Sequence, residues 1–473
     1  MYDTGEDTIA AISTAPSPSG IGIIRISGND AIATADRMYR ESMHRPGKKL
    51  ADQKPNTVHH GFVTDRNGKV IDEVLVILMK APHSYTGEDT VEIDCHGGIL
   101  AERRILEEAI RCGARLAEPG EFTKRAFLNG RMDLSQAESV MDVISARNDM
   151  ALRSAEQQLE GSLSAKTKEI RQALLHQTAR IEAAIDDPEH MSLDGCAQEI
   201  EGIVRNCRSE IKKLIDSADS GRYISEGMKT VITGKPNAGK SSVLNFLLGE
   251  DRAIVTDIAG TTRDILEETL NIRGITLRLL DTAGIRHSED VIEQIGVEKA
   301  AAQMKNADLV LYVVDGSVPL DENDSRILNL IRDQKVIVIM NKDDLEHRVS
   351  EEDLRKCLTQ SFGEKGGTIP VITMSAREKT GLDELESAIE QMFFSGKTWS
   401  GEEICVTNER HAEALREADR SLSLVLDSIQ NEMPEDFWSI DLMGACEALG
   451  KITGETAGED LVNEIFSKFC MGK

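Results

Sequence analysis

The run Gly234-Lys-Pro-Asn-Ala-Gly239-Lys240-Ser241 is the feature that most restricts the fold of this chain. It follows the apolar stretch Val231-Ile-Thr233 and leads into the helix-like Ser242-Val-Leu-Asn-Phe-Leu247. That is the strand–loop–helix setting of a phosphate-binding loop. Its glycines let the amides around Asn237, Ala238 and Gly239 close on phosphate oxygens. The N-terminus of the following helix, where Ser242 lies, adds a favourable dipole. Lys240 supplies a point charge for the β- and γ-phosphates, and the Ser241 hydroxyl suits Mg²⁺. One such match can arise by chance, so its companions decide the matter.

Four further motifs follow in order. Gly260-Thr261-Thr262-Arg263-Asp264 reads as a switch segment, with Thr262 placed to complete the Mg²⁺ shell. Asp281-Thr282-Ala283-Gly284 ends the strand-like Leu277–Leu280; Asp281 would hold Mg²⁺ through water, and the Gly284 amide would sense the γ-phosphate. Asn341-Lys342-Asp343-Asp344 ends Val336–Met340, and a carboxylate at Asp344 accepts both guanine N–H donors, which adenine cannot offer. Ser375-Ala376-Arg377 ends Val371–Met374 and fits the loop behind the base. Five motifs in sequence, each in its required context, predict a GTP hydrolase.

With 473 residues the chain is long enough for several domains. Residues 1–125 mix β-branched runs such as Ile21–Ser27 and Val74–Met79 with a helix near Leu100–Cys112 and predict an α+β domain. Residues 126–220 turn helical, with Leu159, Leu163, Ile170 and Leu174 at helical spacing. Strands alternate with helices over 227–395, the pattern of a mostly parallel sheet, with Leu266–Ile272 and Ile275–Leu280 as an antiparallel hairpin. Helices resume over 400–473, where Leu415, Leu422, Val425 and Ile429 form a core stripe. The expected fold is therefore multidomain, α/β and α: an N-terminal α+β domain and a discontinuous helical domain with a Ras-like P-loop module inserted between its halves.

A net charge of −27 argues against nonspecific nucleic-acid or anionic-membrane binding by the surface as a whole, while leaving room for a local basic patch. The eight cysteines are scattered without a Cys-x-x-Cys pair, which argues against a disulfide framework or zinc ribbon. With an acidic N-terminus and no apolar run of membrane-spanning length, the expectation is a soluble, cytoplasmic protein.

The last five residues, Phe469-Cys470-Met471-Gly472-Lys473, beside a central GTPase resemble the MnmE/TrmE family, the GTPases that modify the wobble uridine of tRNA. The resemblance also runs through Gly20–Gly28, Tyr85-Thr-Gly-Glu-Asp89, Cys95-His-Gly-Gly98, Pro119–Phe122, Arg125–Asn129 and Ile452-Thr-Gly-Glu455. It implies a homodimer formed through an N-terminal, folate-binding domain. It also implies a flavin-dependent MnmG/GidA-type partner carrying FAD, in a heterotetramer that binds tRNA mainly through the complex. The pair would install an aminomethyl-type or carboxymethylaminomethyl group at C5 of uridine 34. The one-carbon unit would come from a 5-formyl- or 5,10-methylene-tetrahydrofolate. Arg25, Glu92, Arg131 and Lys473 match the family's folate-contacting positions, Arg131 standing where lysine also occurs. Cys470 has two readings, a nucleophile of the modification chemistry or an inert residue that shapes the site.

The position after Asp-x-x-Gly is Ile285, not the glutamine that orients water in Ras-type enzymes. The family resemblance puts Glu293 in that role. It also marks Thr256-Asp257-Ile258-Ala259-Gly260-Thr261 as a potassium loop that lies against the nucleotide. There Thr256, Ile258 and Thr261 would cage K⁺ together with Asn237. The competing readings are a ribosome-assembly type of switch and a folate-dependent one-carbon transferase. The acidity further suggests that the flavoprotein carries most of the grip on RNA.

Overall fold

A computed structural model describes residues 7–44, 47–187, 196–249, 268–280, 304–394 and 403–473. Thr256 to Thr262, Asp281 to Gly284 and Glu293 lie outside these residues.

Seven strands form the first sheet: β1 (Ile9–Ile12), β2 (Gly22–Ser27), β3 (Tyr39–Arg40), β4 (Thr57–Thr64), β5 (Val70–Met79), β6 (Thr90–Cys95) and β7 (Arg115–Leu116). Their order is β3-β4-β5-β6-β2-β1-β7, antiparallel except for the parallel pair β1–β7. α1 (Ala31–Met38) and α2 (Ile99–Arg111) cover one face, and Ile24, Ile26, Val76, Leu78, Val91 and Ile93 of the central strands are buried beneath them. Because side chains alternate along a strand, Arg25 and Glu92 fall on the other face. They are directly opposed in the β2–β6 register.

Helices α3 (Glu121–Leu128), α4 (Leu134–Ser145), α5 (Asp149–Leu159), α6 (Ser162–Asp186) and α7 (Cys196–Glu226) follow. All four leucine and isoleucine positions read at helical spacing lie in helices; Leu163, Ile170 and Leu174 of α6 are buried, while Leu159, the last residue of α5, is exposed. α5 stops at Leu159, and Gly161, at φ 90°, opens α6, so the helical register restarts between them.

A second sheet contains β8 (Met228–Thr233), β9 (Glu268–Ile272), β10 (Ile275–Leu279), β11 (Leu309–Asp315), β12 (Val336–Asn341) and β13 (Val371–Thr373). α8 (Lys240–Leu247), α9 (Glu322–Leu330), α10 (Glu351–Phe362) and α11 (Leu382–Phe394) accompany it. The order is β13-β12-β11-β8-β10-β9. All pairs are parallel except the β9–β10 hairpin, which turns through Arg273 and Gly274, both at positive φ. β11 and β12 are buried along their whole length, which is why they read as unbroken apolar runs. α12 (Glu409–Gln430), α13 (Glu435–Thr453) and α14 (Glu459–Ser467) complete the chain.

The chain divides into two compact units. One comprises Met1–Ile144, Glu156–Ile211 and Glu413–Lys473; the other comprises Ser145–Ala155 and Lys212–Ala412. In the first, Val462 and Phe466 of α14, with Phe469 beyond it, pack on Ala126, Leu134, Ala137 and Val140 of α3 and α4. Thus the final segment shares a core with the N-terminal helices. All eight cysteines are free thiols; Cys470 is exposed, Cys112 and Cys357 are half-buried, and the rest are buried. Among the described residues no helix is long and apolar enough to cross a membrane.

Candidate functional site

The phosphate loop lies between β8 and α8. Gly234 takes φ 151°, and a Cβ there would sit 2.2 Å from the Val313 carbonyl oxygen. Asn237 is exposed at φ 63°, a left-handed conformation that asparagine tolerates. Gly239 takes φ 93°, and its Cβ would come 2.2 Å from Asn341 Nδ2. The loop therefore needs glycine at both ends. Ala238 is buried, and Ser241 and Ser242 occupy the first turn of α8. Lys240 Nζ donates to the carbonyls of Gly234 (2.9 Å) and Lys235 (2.8 Å), and burial pushes its pKa down. Lys235 ties the loop to the start of α9 through Asp324 (2.7 Å) and Asp321 (3.1 Å).

The base-facing loops are joined to the phosphate loop by Asn341. Its Nδ2 donates to the Ala238 carbonyl (3.1 Å), and its Oδ1 accepts the Ala376 amide (3.2 Å). Lys342, at φ 67°, donates to Asp315 (2.6 Å). Asp344 Oδ1 accepts the Ser375 hydroxyl (2.8 Å), and Arg377 lies 3.7 Å from its other oxygen. The Ser375 bond leads the influences that hold the Asp344 carboxyl below the usual range, so it is ionised at neutral pH and ready to accept guanine N–H groups. Asn237 to Ser242, Asn341, Lys342, Asp344 and Ser375 to Arg377 thus meet at the C-terminal ends of β8, β12 and β13, where α/β sheets bind ligands.

A second constellation forms on the first sheet. Arg25 Nε donates to Glu92 Oε1 at 2.8 Å, and both side chains are largely buried. The guanidinium lies over the rings of Tyr85 (5.0 Å) and Phe122 (5.5 Å). Arg131 lies over the same Tyr85 ring (5.0 Å) and donates to the Tyr85 carbonyl (3.0 Å).

The final residues return to this place. The amides of Gly120 and Phe122 donate to the carbonyls of Cys470 (3.3 Å) and Lys473 (3.1 Å). The Gly472 carbonyl accepts Ser13 Oγ (3.1 Å) and Arg25 Nη1 (3.4 Å). Burial first, then the positive charge of Arg25, pushes the Lys473 pKa down. Arg25, Glu92, Arg131 and Lys473 are therefore brought together. Tyr85 and Phe122 complete the group; both stood in the motifs noted in the sequence, but nothing local marked their rings as stacking surfaces.

Nearby, Arg125 is buried and pairs with Asp7 (2.8 Å), Glu88 (3.3 Å) and Glu121 (3.1 Å), while Arg115 bridges Asp7 and Glu121 at 2.6 Å each. No sequence spacing announces this network, because its members come from the N-terminus, a turn, the short strand β7 and α3.

Residues 134–470 match the family model of the MnmE helical domain, and residues 8–131 match that of the GTP-binding protein TrmE N-terminus. The tRNA modification GTPase MnmE of Lachnoclostridium phytofermentans is 51% identical over 467 residues, covering 99% of each chain. The protein of the same name from Clostridioides difficile is 46% identical over 99% of each chain. That from Bacillus subtilis is 44% identical over 99% of this chain and 100% of its own.

Proposed function

The chain belongs to the MnmE family, tRNA modification GTPases, and on that premise we propose that it is a K⁺-stimulated GTP hydrolase working with a flavin-dependent partner at C5 of wobble uridine 34. The nucleotide enters across the C-terminal ends of β8, β12 and β13. Gly234 and Gly239 open the backbone around the phosphates, Lys240 meets the β- and γ-oxygens, and Asp344 selects guanine. Ser241, together with Thr262 and Asp281 from outside the described residues, would hold Mg²⁺, which would neutralise phosphate charge. Glu293 orients the attacking water in place of the glutamine that Ile285 replaces. Asn237 supplies one oxygen of the K⁺ site; its exposed side chain at the loop tip suits that part. Thr256, Ile258 and Thr261 give the others. K⁺ held by these residues would supply positive charge beside the phosphates.

The first-sheet constellation is read as the tetrahydrofolate site. Its donor set fits: the partly exposed Tyr85 ring offers flat surface, Glu92 offers an acceptor for the pterin amide edge, and Arg25, Arg131 and Lys473 offer cations for the glutamate tail, while buried Phe122 backs Arg25 from within. Bound there, the folate supplies a one-carbon unit. Lys473 is half-buried beside Arg25, so an anionic ligand there would meet two cations with less competing water than at the open surface.

The observation that supports this reading is the return of Gly472 and Lys473 to the Arg25–Glu92 pair, which fits a second site besides the nucleotide site. That favours a modification enzyme over a ribosome-assembly switch. Mass analysis of wobble uridines in a strain lacking the gene tests it. Loss of the 5-aminomethyl-type group is expected; unaltered tRNA would move the assignment to the ribosomal switch.

A further inference from the structure

We propose that an arginine-lined concavity at the edge of the first sheet, none of whose arginines belongs to the motifs above, docks the phosphodiester backbone of RNA. It is open, about 970 Å³ in volume, and takes Arg37 from α1, Arg40 from β3, Arg66 from the β4–β5 turn and Arg111 from the end of α2. In a chain of net charge −27, four guanidiniums here share a hollow with two carboxylates, and both carboxylates are already engaged. Asp65 Oδ1 accepts the amides of Asn67 and Lys69, both at 2.9 Å, and the Lys69 bond leads the influences that hold its carboxyl below the usual range. Glu108 is buried and accepts from Arg111 at 3.4 Å.

The other three arginines have no carboxylate at ion-pair distance among the described residues. Arg37 donates instead to the Cys112 carbonyl, and Arg40 to the carbonyls of Tyr39 (2.7 Å) and Asp36 (3.4 Å). Neutral acceptors fix these side chains without cancelling their charge, and each guanidinium keeps further N–H groups for a ligand. The backbone is shaped to permit this. Gly113 takes φ 119°, and a Cβ there would lie 2.9 Å from Arg37 Nη1. Gly68, at φ 76°, closes the turn that carries exposed Arg66.

Fixed, uncancelled guanidiniums are the groups that grip phosphate oxygens in pairs. The spread of Arg37, Arg40 and Arg66 over α1, β3 and the β4–β5 turn, with the wide mouth, suits successive phosphates of a strand better than one small anion. Because the remaining surface is acidic, RNA would be confined to such a patch. The inference rests on the reading of the protein as an enzyme acting on tRNA.

The test is binding of an unmodified tRNA transcript to the full chain, measured in about 50 and about 200 mM salt. Replacing Arg37, Arg40 and Arg66 together by glutamine is expected to flatten the salt slope by about one unit per arginine and to weaken low-salt binding by roughly ten- to a hundredfold. GTP hydrolysis should stay unchanged. Arg66→Glu, in an exposed turn, guards against misfolding as the cause and should alone weaken binding several-fold. The triple lysine variant, which keeps the charge, should retain most of the affinity. Equal affinity and slope in wild type and triple variant overturn the proposal, as does absence of binding by the wild type at low salt. Displacement of the transcript by millimolar inorganic phosphate would also overturn it, as the mark of a small-anion site. Failure of the modification reading itself appears separately, as unaltered wobble uridines in the deletion strain.

Discussion

Gly239→Ala should uncouple the two ends of the nucleotide pocket. The new methyl would sit 2.2 Å from Asn341 Nδ2, so one of them must move. Asn341 is buried, and its amide is pinned at both ends, by the Ala238 carbonyl (3.1 Å) and the Ala376 amide (3.2 Å). Moving it forfeits both hydrogen bonds, about 0.5–1.5 kcal/mol each. Alanine at φ 93° adds about 1–2 kcal/mol of left-handed strain. The total is about 2–5 kcal/mol, which lowers GTP affinity roughly 30- to 5,000-fold if the strain is relieved by distorting the loop. A fluorescent GTP analogue titrated into the purified protein, with a melting curve as the fold control, reads the effect. The reasoning also demands coupling. Asn341→Ala removes the clashing amide, so the double variant should be weaker than wild type by clearly less than the sum of the two single losses. Binding by Gly239→Ala within about threefold of wild type, or strict additivity in the cycle, would refute the argument.

Other expectations follow the same geometry. Asp344→Asn should exchange guanine for xanthine preference, since the amide can donate to the second carbonyl of xanthine; competition between the two triphosphates measures it. Glu293→Ala should bind GTP normally and lose most of kcat, and K⁺ but not Na⁺ should accelerate the wild type; equal rates in both salts would remove the cation site. Arg25→Met should destabilise the protein by about 3–5 kcal/mol, because it strands the largely buried Glu92; Arg25→Met/Glu92→Met should recover much of that in denaturant unfolding. In the Asp7–Arg115–Glu121–Arg125 network both carboxyls titrate below their usual range. For Asp7 the Arg115 bond leads; for Glu121 burial is the largest influence and opposes the shift, but the Arg115 bond, the Glu118 amide and the charges of Arg125 and Arg115 together outweigh it. A depressed carboxyl stabilises fully above its unfolded pKa and loses that benefit as pH falls through the folded one. Melting temperature should therefore drop as pH falls from about 5 towards 3, and the drop should be shallower in Arg115→Met/Arg125→Met.

The nucleotide motifs were legible because each is a short stretch whose spacing alone sets the chemistry. β11 and β12 announced themselves as apolar runs because they are buried on both sides. The hairpin at Arg273-Gly274 was legible from its turn residues. What failed or stayed hidden was set by distance along the chain. Leu159 and Leu163 share a helical spacing that does not register the helix restart at Gly161, so the exposure of Leu159 was not legible. Arg25 and Gly472 lie far apart in sequence, and only family resemblance hinted at their meeting. The hollow around Arg37, Arg40, Arg66 and Arg111 has no linear signature, since a turn, a short strand and two helix ends each give one side chain.

The cysteine inventory offers a practical consequence. Burial first of all drives the thiols of Cys95 and Cys405 up to about 12 and that of Cys446 to about 11, and it raises those of Cys112 and Cys207 as well. Cys470, by contrast, stands in solvent beside the Arg25–Glu92 constellation, its carbonyl tied to the Gly120 amide. A maleimide dye added to the native chain would find that sulfur first, giving a one-colour optical probe of pocket occupancy without any engineered residue.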